Sequence, residues 1–374
     1  YIIPTSDPHN SEYVPERFKT RKWISGFTGS AGTVVVAEEE SGLWTDGRYY
    51  IQADKELEGS EIKLFKMGEE DVPSYKEWLA DNIEEDQKIG FNGKLFSIDD
   101  VKDMEKKLPD SVGMVTDIDL VEEIWKDRPE IPKNEIFVHE KEFAGKTRKE
   151  KIEDIREEMD EKDGDVFLIT KLDEVAWTFN IRGDYIEYNP VAVSFGVITK
   201  DSSHLFIDGD KVNNDIREVL EGDDVSIHDY DDIGGFLEEL DEDKKIIIDH
   251  KNTSKSLFDS IPDKCEKIEE NPSITQNLKA VKNETEIKRY KDCLVRDGVA
   301  MVRFLHWLEM NVGSEEITEI TTEKKVEEFR SELEYFKGPS FDPIAAYKEH
   351  AAMMHYSADE ESDYVLEEEG FYLL

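Results

Sequence analysis

Short apolar runs alternate with amphipathic segments through the first third of this 374-residue chain. The runs are rich in β-branched and aromatic residues, which favour strands, and the segments between them place apolar residues at helical spacing. The predicted strands are residues 1–3, 33–37, 43–46, 61–65, 88–91 and 113–115, and the predicted helices are 47–55, 74–82 and 97–108. This alternation predicts an α/β layer structure.

The same order of elements returns about 160 residues later. In the first copy, strand 33–37 precedes a second strand that ends in Asp46-Gly47. In the later copy, strand 191–199 precedes a second strand that ends in Asp208-Gly209. Both copies follow an upstream tryptophan and glycine, and both lead into a helix. Two such copies predict a duplicated α/β domain rather than a repeat array.

Three domains are predicted from this organisation. Residues 1–126 form the first domain, and residues 127–270 form the second, with the charged, proline-containing segment 127–146 as a linker. Residues 271–374 begin a third domain with long helices and short strands. The predicted fold class is therefore α/β for the duplicated part, with an α+β region after it.

The third region opens with a long predicted helix. Asn283 can cap this helix, and apolar residues recur along one face at three- and four-residue spacing. They are Ile287, Tyr290, Leu294, Val295, Val302, Leu305 and Leu308. A second helix is predicted at 321–333, and strands are predicted at 351–356 and 370–374. Because the chain starts and stops inside apolar runs, it is predicted to be a fragment of a longer protein.

Charge narrows the classes of partner. The chain holds 90 acidic and 47 basic residues, a net charge of −43, which argues against nucleic acid because phosphate binding needs clustered Lys and Arg. Such a charge is typical of a heavily solvated surface; a salt-adapted source and a basic partner are the alternatives. No apolar stretch approaches the roughly 18 residues of a membrane span. Two cysteines without metal-ligand spacing favour a reducing compartment.

Arg48 is the first candidate site residue. It follows Asp46-Gly47 at a predicted strand-to-helix turn and lies among aromatic residues. Taken alone, the arrangement is typical of an Asp helix cap with Arg48 in a local ion pair. The second copy keeps the Asp-Gly pair but has Asp210 in place of the arginine. The shared pair is therefore interpreted as structural, and Arg48 is the candidate for a specialised role.

Other motifs leave the function open. The glycine-rich segment 26–32 opens onto a strand, whereas a phosphate-binding loop opens onto a helix. His355 lies in the apolar run 353–356, where a histidine is more often a core or edge residue than a catalytic one. His139 lacks the second histidine of a zinc-binding helix, and no Ser or Cys lies in a recognisable nucleophile elbow.

Several segments, taken in order, resemble the cytosolic-type Xaa-Pro aminopeptidases, the aminopeptidase P family. The segments are residues 1–13, 24–33, 43–49, 180–183, 188–190, 282–286 and 354–356. They are distributed over the whole chain. The resemblance implies two creatinase-type N-terminal α/β domains, followed by the incomplete start of a pita-bread metallopeptidase domain.

The resemblance also implies an activity and a cofactor. Members of the family release the N-terminal residue when proline is second, using two metal ions, usually Mn²⁺, that share a bridging water. Their ligands, two Asp, one His and two Glu, are expected after Leu374, so no metal ligand and no bound metal is expected in this chain. The chain alone is expected to be inactive. The full-length protein is expected to be cytoplasmic and homodimeric, without nucleic-acid or membrane partners.

Two residues match peptide-contact positions of the family. By resemblance, His355 is a catalytic residue that hydrogen-bonds the substrate near the metals, and Arg48 binds the peptide at its entrance. Lys348 and His350 depart from the family pattern, which has Gly and Asn at these positions. The resemblance therefore does not predict the conformation of the loop before His355. The same fold hosts two alternatives: a prolidase, and a catalytically dead pita-bread module that binds peptides or histones.

Overall fold

A computed structural model describes residues 1–84 and 86–374. The chain divides into two compact units. The first unit consists of Tyr1–Ile186 and Pro190–Val281, and the second consists of Glu187–Asn189 and Lys282–Leu374. Helices and strands alternate through the first unit, as the predicted α/β class requires.

Six strands of the first unit belong to the first copy of the predicted repeat. They are β1 Ile2–Pro4, β2 Thr33–Val35, β3 Ser41–Thr45, β4 Ile62–Lys66, β5 Lys88–Gly90 and β6 Gly113–Val115. Strands β1 to β4 form one sheet in that order, in which β1 and β3 are antiparallel to β2 and β4 is parallel to β3. The parallel pair β5–β6 adjoins β1 through a parallel bridge between Ile2 and Phe91.

The second copy has the same order of strands. The strands that follow are β7 Phe137–Val138, β8 Val166–Ile169, β9 Ile181–Arg182, β10 Ser194–Thr199, β11 Ser203–Ile207, β12 Val225–His228, β13 Lys245–Ile248 and β14 Glu266–Glu269. The main sheet runs β12-β11-β10-β8-β13-β14. Its strands pair in the same directions as β4-β3-β2-β1-β5-β6. The predicted duplication is therefore present in the topology, and β7 pairs separately with β9.

Helices cover both faces of the two sheets. They are α1 Thr20–Ser25, α2 Tyr50–Glu56, α3 Tyr75–Asn82, α4 Ile98–Lys107, α5 Leu120–Ile124, α6 Lys141–Ala144, α7 Arg148–Glu161, α8 Leu172–Thr178, α9 Asn214–Gly222, α10 Ile233–Glu238, α11 Lys255–Asp259 and α12 Ile274–Ala280. Alternate residues of a strand face opposite layers: Val34 and Leu43 pack in one core, and Val35 and Trp44 in the other.

The second unit contains two helices and a small sheet: α13 Glu284–Asn311, α14 Glu319–Ser331, β15 Ala346–Tyr347 and β16 Tyr372–Leu373. Asn283 and Glu286 form a capping box at the start of α13, as the sequence predicts for Asn283. The helices pack together around buried Ala300 and Phe304. Most of the apolar face predicted for α13 is exposed in this unit, with Leu294 68% exposed.

Candidate functional site

Arg48 lies at the turn between β3 and α2, where it is oriented by a neighbouring carboxylate. Its Nε and Nη2 atoms each donate to an oxygen of Asp46 at 2.8 Å, and its backbone N–H donates to the same carboxylate at 3.1 Å. These bonds raise the pKa of Arg48. The guanidinium also lies 5.1 Å from the ring centroid of Tyr49. Arg48 is therefore a charged group with a fixed orientation, and its side chain is 40% exposed.

The equivalent turn of the second copy keeps the carboxylate but has no arginine. Asp208 accepts a hydrogen bond from the backbone N–H of Asp210 at 3.0 Å, just as Asp46 accepts from the backbone of Arg48. The Asp210 side chain forms an exposed ion pair with Lys133. The backbone contact is therefore common to both turns, whereas the cation belongs to the first turn alone.

His355 lies in a turn, and its side chain is exposed. It follows the 3-10 helix Lys348–Ala352, so the strand predicted for residues 351–356 is wrong. The segment folds back because His350 and Tyr356 both contact the same buried carboxylate, that of Glu319. Arg48 belongs to the first compact unit, and His355 belongs to the second.

Glu319 is the residue of this region that the sequence analysis missed. It is the first residue of α14 and is fully buried. Its carboxylate accepts hydrogen bonds from the backbone of Tyr347 and Tyr364 and from the side chains of His350 and Tyr356. Burial alone would raise the pKa of Glu319, but these four hydrogen bonds outweigh it and lower the pKa. Its sequence signal, an acidic residue at a helix start, is too common to identify it.

Lys348 adopts a backbone conformation that glycine takes more easily. Its φ angle is +54°, in the left-handed region. Its backbone N–H donates to the carbonyl of Phe371 at 3.0 Å, and its ammonium pairs with Glu367 at 2.8 Å. The loop before His355 therefore has the backbone shape that suits the glycine of the family pattern, although a lysine stands there.

One group of three potential metal ligands is found among residues 1–84 and 86–374. Asp99, His250 and Glu269 each offer an atom within 4.8 Å of the others. The ammonium of Lys102 lies 3.1 Å from Nδ1 of His250 and already supplies a cation there. The oxygens of buried Glu319 are all engaged by hydrogen-bond donors.

Comparison with protein families accounts for nearly the whole chain. Residues 11–128 match the creatinase/prolidase N-terminal domain, and residues 127–286 match a second model of the same description. Residues 288–374 match metallopeptidase family M24.

The chain combines two creatinase/prolidase-type N-terminal domains with the start of an M24 metallopeptidase domain. It is 36% identical over its whole length to "Probable Xaa-Pro aminopeptidase P" of Paracoccidioides brasiliensis (strain Pb03) and 38% identical to "Xaa-Pro aminopeptidase 1" of Dictyostelium discoideum. It spans 63% and 61% of the lengths of these two relatives. The resemblance seen in the motifs is therefore confirmed.

A solved structure of a similar protein has the same fold as this chain. The X-prolyl aminopeptidase of Caenorhabditis elegans, described as a cytosolic enzyme with a di-nuclear active site, matches 98% of this chain with a TM-score of 0.92. The two proteins are 32% identical, and the match covers 61% of that enzyme. Two creatinase-type domains and the start of an M24 domain are thus confirmed. The match of residues 288–374 to a metallopeptidase domain, together with the di-nuclear active site of the Caenorhabditis elegans enzyme, supports a metal cofactor. None of the helices in the described part of the chain combines the length and apolar character of a membrane span.

Proposed function

We propose that the full-length protein is a metal-dependent aminopeptidase that releases the N-terminal residue from peptides with proline in second position. The observation that carries this proposal is the match over 98% of the chain to an X-prolyl aminopeptidase with a TM-score of 0.92. Identities of 36% and 38% to two further Xaa-Pro aminopeptidases, each over the whole chain, support it.

Within this proposal, His355 and Arg48 bind the substrate. His355 is exposed, and its imidazole is proposed to hydrogen-bond the peptide. Arg48 offers an oriented, partly exposed cation to a carbonyl or carboxylate of the peptide. The cofactor is proposed to be two Mn²⁺ ions, which activate water and polarise the scissile carbonyl when bound. The ligands of these ions are proposed to follow Leu374.

The assay that tests this function uses purified full-length protein and peptides that differ only at the second residue. We expect hydrolysis of an Xaa-Pro peptide, little hydrolysis of the Xaa-Ala peptide, loss of activity with EDTA and recovery with Mn²⁺. Recovery with another ion alone would correct the metal. Equal cleavage of both peptides, or none, would refute the proposed specificity. Residues 1–374 alone should show no activity.

A binding module is the second candidate. The net charge of −43 favours a basic partner such as a histone. Binding of purified histones at about 0.15 M salt, with no peptidase activity of the full-length protein, would support it. A prolidase, the third alternative, would hydrolyse Xaa-Pro dipeptides but not longer peptides. The proposed cytoplasmic homodimer can be tested by cell fractionation and by the mass of the full-length protein in solution.

A further inference from the structure

A single buried carboxylate anchors the segment that carries His355. Glu319 has no exposed surface, and a buried carboxylate must be compensated by hydrogen bonds or a counter-charge. Oε1 accepts from the backbone N–H of Tyr347 at 2.6 Å and lies 3.0 Å from Nδ1 of His350. Oε2 accepts from the Tyr356 hydroxyl at 2.7 Å and the Tyr364 backbone N–H at 3.0 Å. Both oxygens are therefore fully engaged.

The donors lie on both sides of His355 in the chain. Tyr347 precedes it by eight residues, and Tyr356 follows it directly. Between them, the backbone passes through the left-handed conformation of Lys348 and a short 3-10 helix. Since both ends of this segment are bound to one carboxylate, a change at Glu319 would release both ends together.

Ring contacts add to the hydrogen bonds around Glu319, one of them stacked and one tilted. The His350 ring lies 4.4 Å from the centroid of Tyr356 and 3.9 Å from that of Tyr364. The rings of His350, Tyr356 and Tyr364 therefore pack together beside the carboxylate of Glu319. The residue next to His355 is thereby held from two directions, by its hydroxyl and by the face of its ring.

We infer that Glu319 is the positioning residue of His355. It fixes the backbone on both sides of the exposed imidazole, so that the imidazole meets the substrate without first ordering the loop. This inference rests on the proposed function, because it assumes that His355 contacts the peptide. Glu319 itself touches no substrate, since its carboxylate is buried and engaged by four donors.

The test is a double-mutant cycle in the full-length protein, assayed with an Xaa-Pro peptide. Glu319→Gln keeps the size of the side chain but replaces one carboxylate oxygen with an NH2 group. That group cannot accept a hydrogen bond from the donor that faces it. We expect kcat to fall about 10²-fold, the effect of a displacement of about 1 Å in a reacting site. If Glu319 acts through His355, E319Q should lower kcat less than about twofold further in the H355A background. A full 10²-fold loss in both backgrounds would overturn the inference.

Two further variants keep the test informative. Tyr356→Phe removes one of the donors to Glu319 and should lower kcat about tenfold, but it should have little further effect in the H355A background. This variant replaces E319Q in the test if E319Q does not fold. Glu328→Gln is the matched control, because Glu328 is on the same helix and its exposed carboxylate pairs with Lys325. Its kcat should stay within about twofold. Inactivity of the unmutated protein would refute the proposed function and this inference together, whereas additive effects in an active enzyme would refute the inference alone.

Discussion

The imidazole of His9 lies 2.9 Å from the hydroxyl of Tyr230, although 221 positions separate the two residues. Nδ1 of His9 donates to the carbonyl of Thr170 at 2.8 Å, which leaves Nε2 to accept the proton of the Tyr230 hydroxyl. The His9 ring is 1% exposed and lies 4.3 Å from the centroid of Phe195. The N-terminal motif that includes His9 is thus fixed to the second α/β sheet by a neutral histidine.

Tyr230→Phe should destabilise the protein. The substitution removes the only hydrogen-bond donor that the described residues offer to Nε2 of buried His9. A buried polar group left without a partner costs about 1–3 kcal/mol. Urea unfolding at pH 7.5 would measure the loss. Tyr13→Phe, at an exposed tyrosine of the same N-terminal region, is the control and should change stability by less than about 0.5 kcal/mol. Equal stability of both variants would contradict the prediction.

Mild acid should also destabilise the fold. Burial lowers the pKa of His9, and burial together with His228 lowers the pKa of His204 to about 4. An unfolded histidine takes up its proton near pH 6.5. Between pH 6.5 and 4 the unfolded chain therefore binds more protons than the folded chain, so stability falls as pH falls.

Urea midpoints at pH 7.0 and 5.5 would measure this acid effect. His204→Gln should reduce the difference between the two midpoints, because it removes one of the groups that must stay neutral in the fold. The Gln side chain still offers polar atoms to Ser202 and His228, the neighbours of His204. If the urea midpoint falls equally between pH 7.0 and 5.5 in the variant and the unmutated protein, His204 does not contribute to the acid destabilisation.

Under the proposed function, Arg48→Ala in the full-length protein should raise KM for Xaa-Pro peptides more than it lowers kcat. This pattern is expected if Arg48 contributes uniform binding rather than stabilising the transition state alone. The comparison variant is Lys63→Ala, which removes an exposed cation on the neighbouring strand β4, paired with Glu40. Unchanged kinetics in R48A would leave Arg48 with its local ion pair to Asp46 as its role.

Added salt should stabilise the chain. A net charge of −43 destabilises the compact state by self-repulsion, and salt screens that repulsion. We expect Tm to rise by several degrees between about 0.1 and 1 M KCl. Chloride is the suitable anion because sulfate strengthens apolar burial regardless of charge. A Tm that is independent of KCl would show that the charges are already compensated by local ion pairs.

The sequence predicted the two sheets but not the conformation of the segment that carries His355. Strand-forming residues such as Val34 and Val35 alternate between two cores, and their pattern repeats in the second copy, so the two sheets were predictable. The segment 351–356 was not, because its conformation depends on contacts with Glu319, at least 32 positions earlier in the chain. Apolar alternation carries no information about such a contact.

Glu319 was not predictable for a related reason. It is one of 90 acidic residues, and its burial follows from packing that no local pattern records. The apolar face of α13 shows the opposite case: the pattern identified the helix and its apolar residues, but Leu294 and Val295 are exposed within the described unit. Periodicity therefore predicts which residues share a face and leaves open what covers that face.

The repeated strand order gives this protein an internal reference for its own specialisation. The turns at Asp46 and Asp208 follow equivalent strands, and in each the aspartate accepts a hydrogen bond from the backbone two residues later. This bond stabilises both turns in the same way. The residue that differs between the turns, Arg48 in one and Asp210 in the other, is therefore not needed to form the turn. An architecture built twice can thus retain stability in both copies while one of them diverges towards recognition of a ligand.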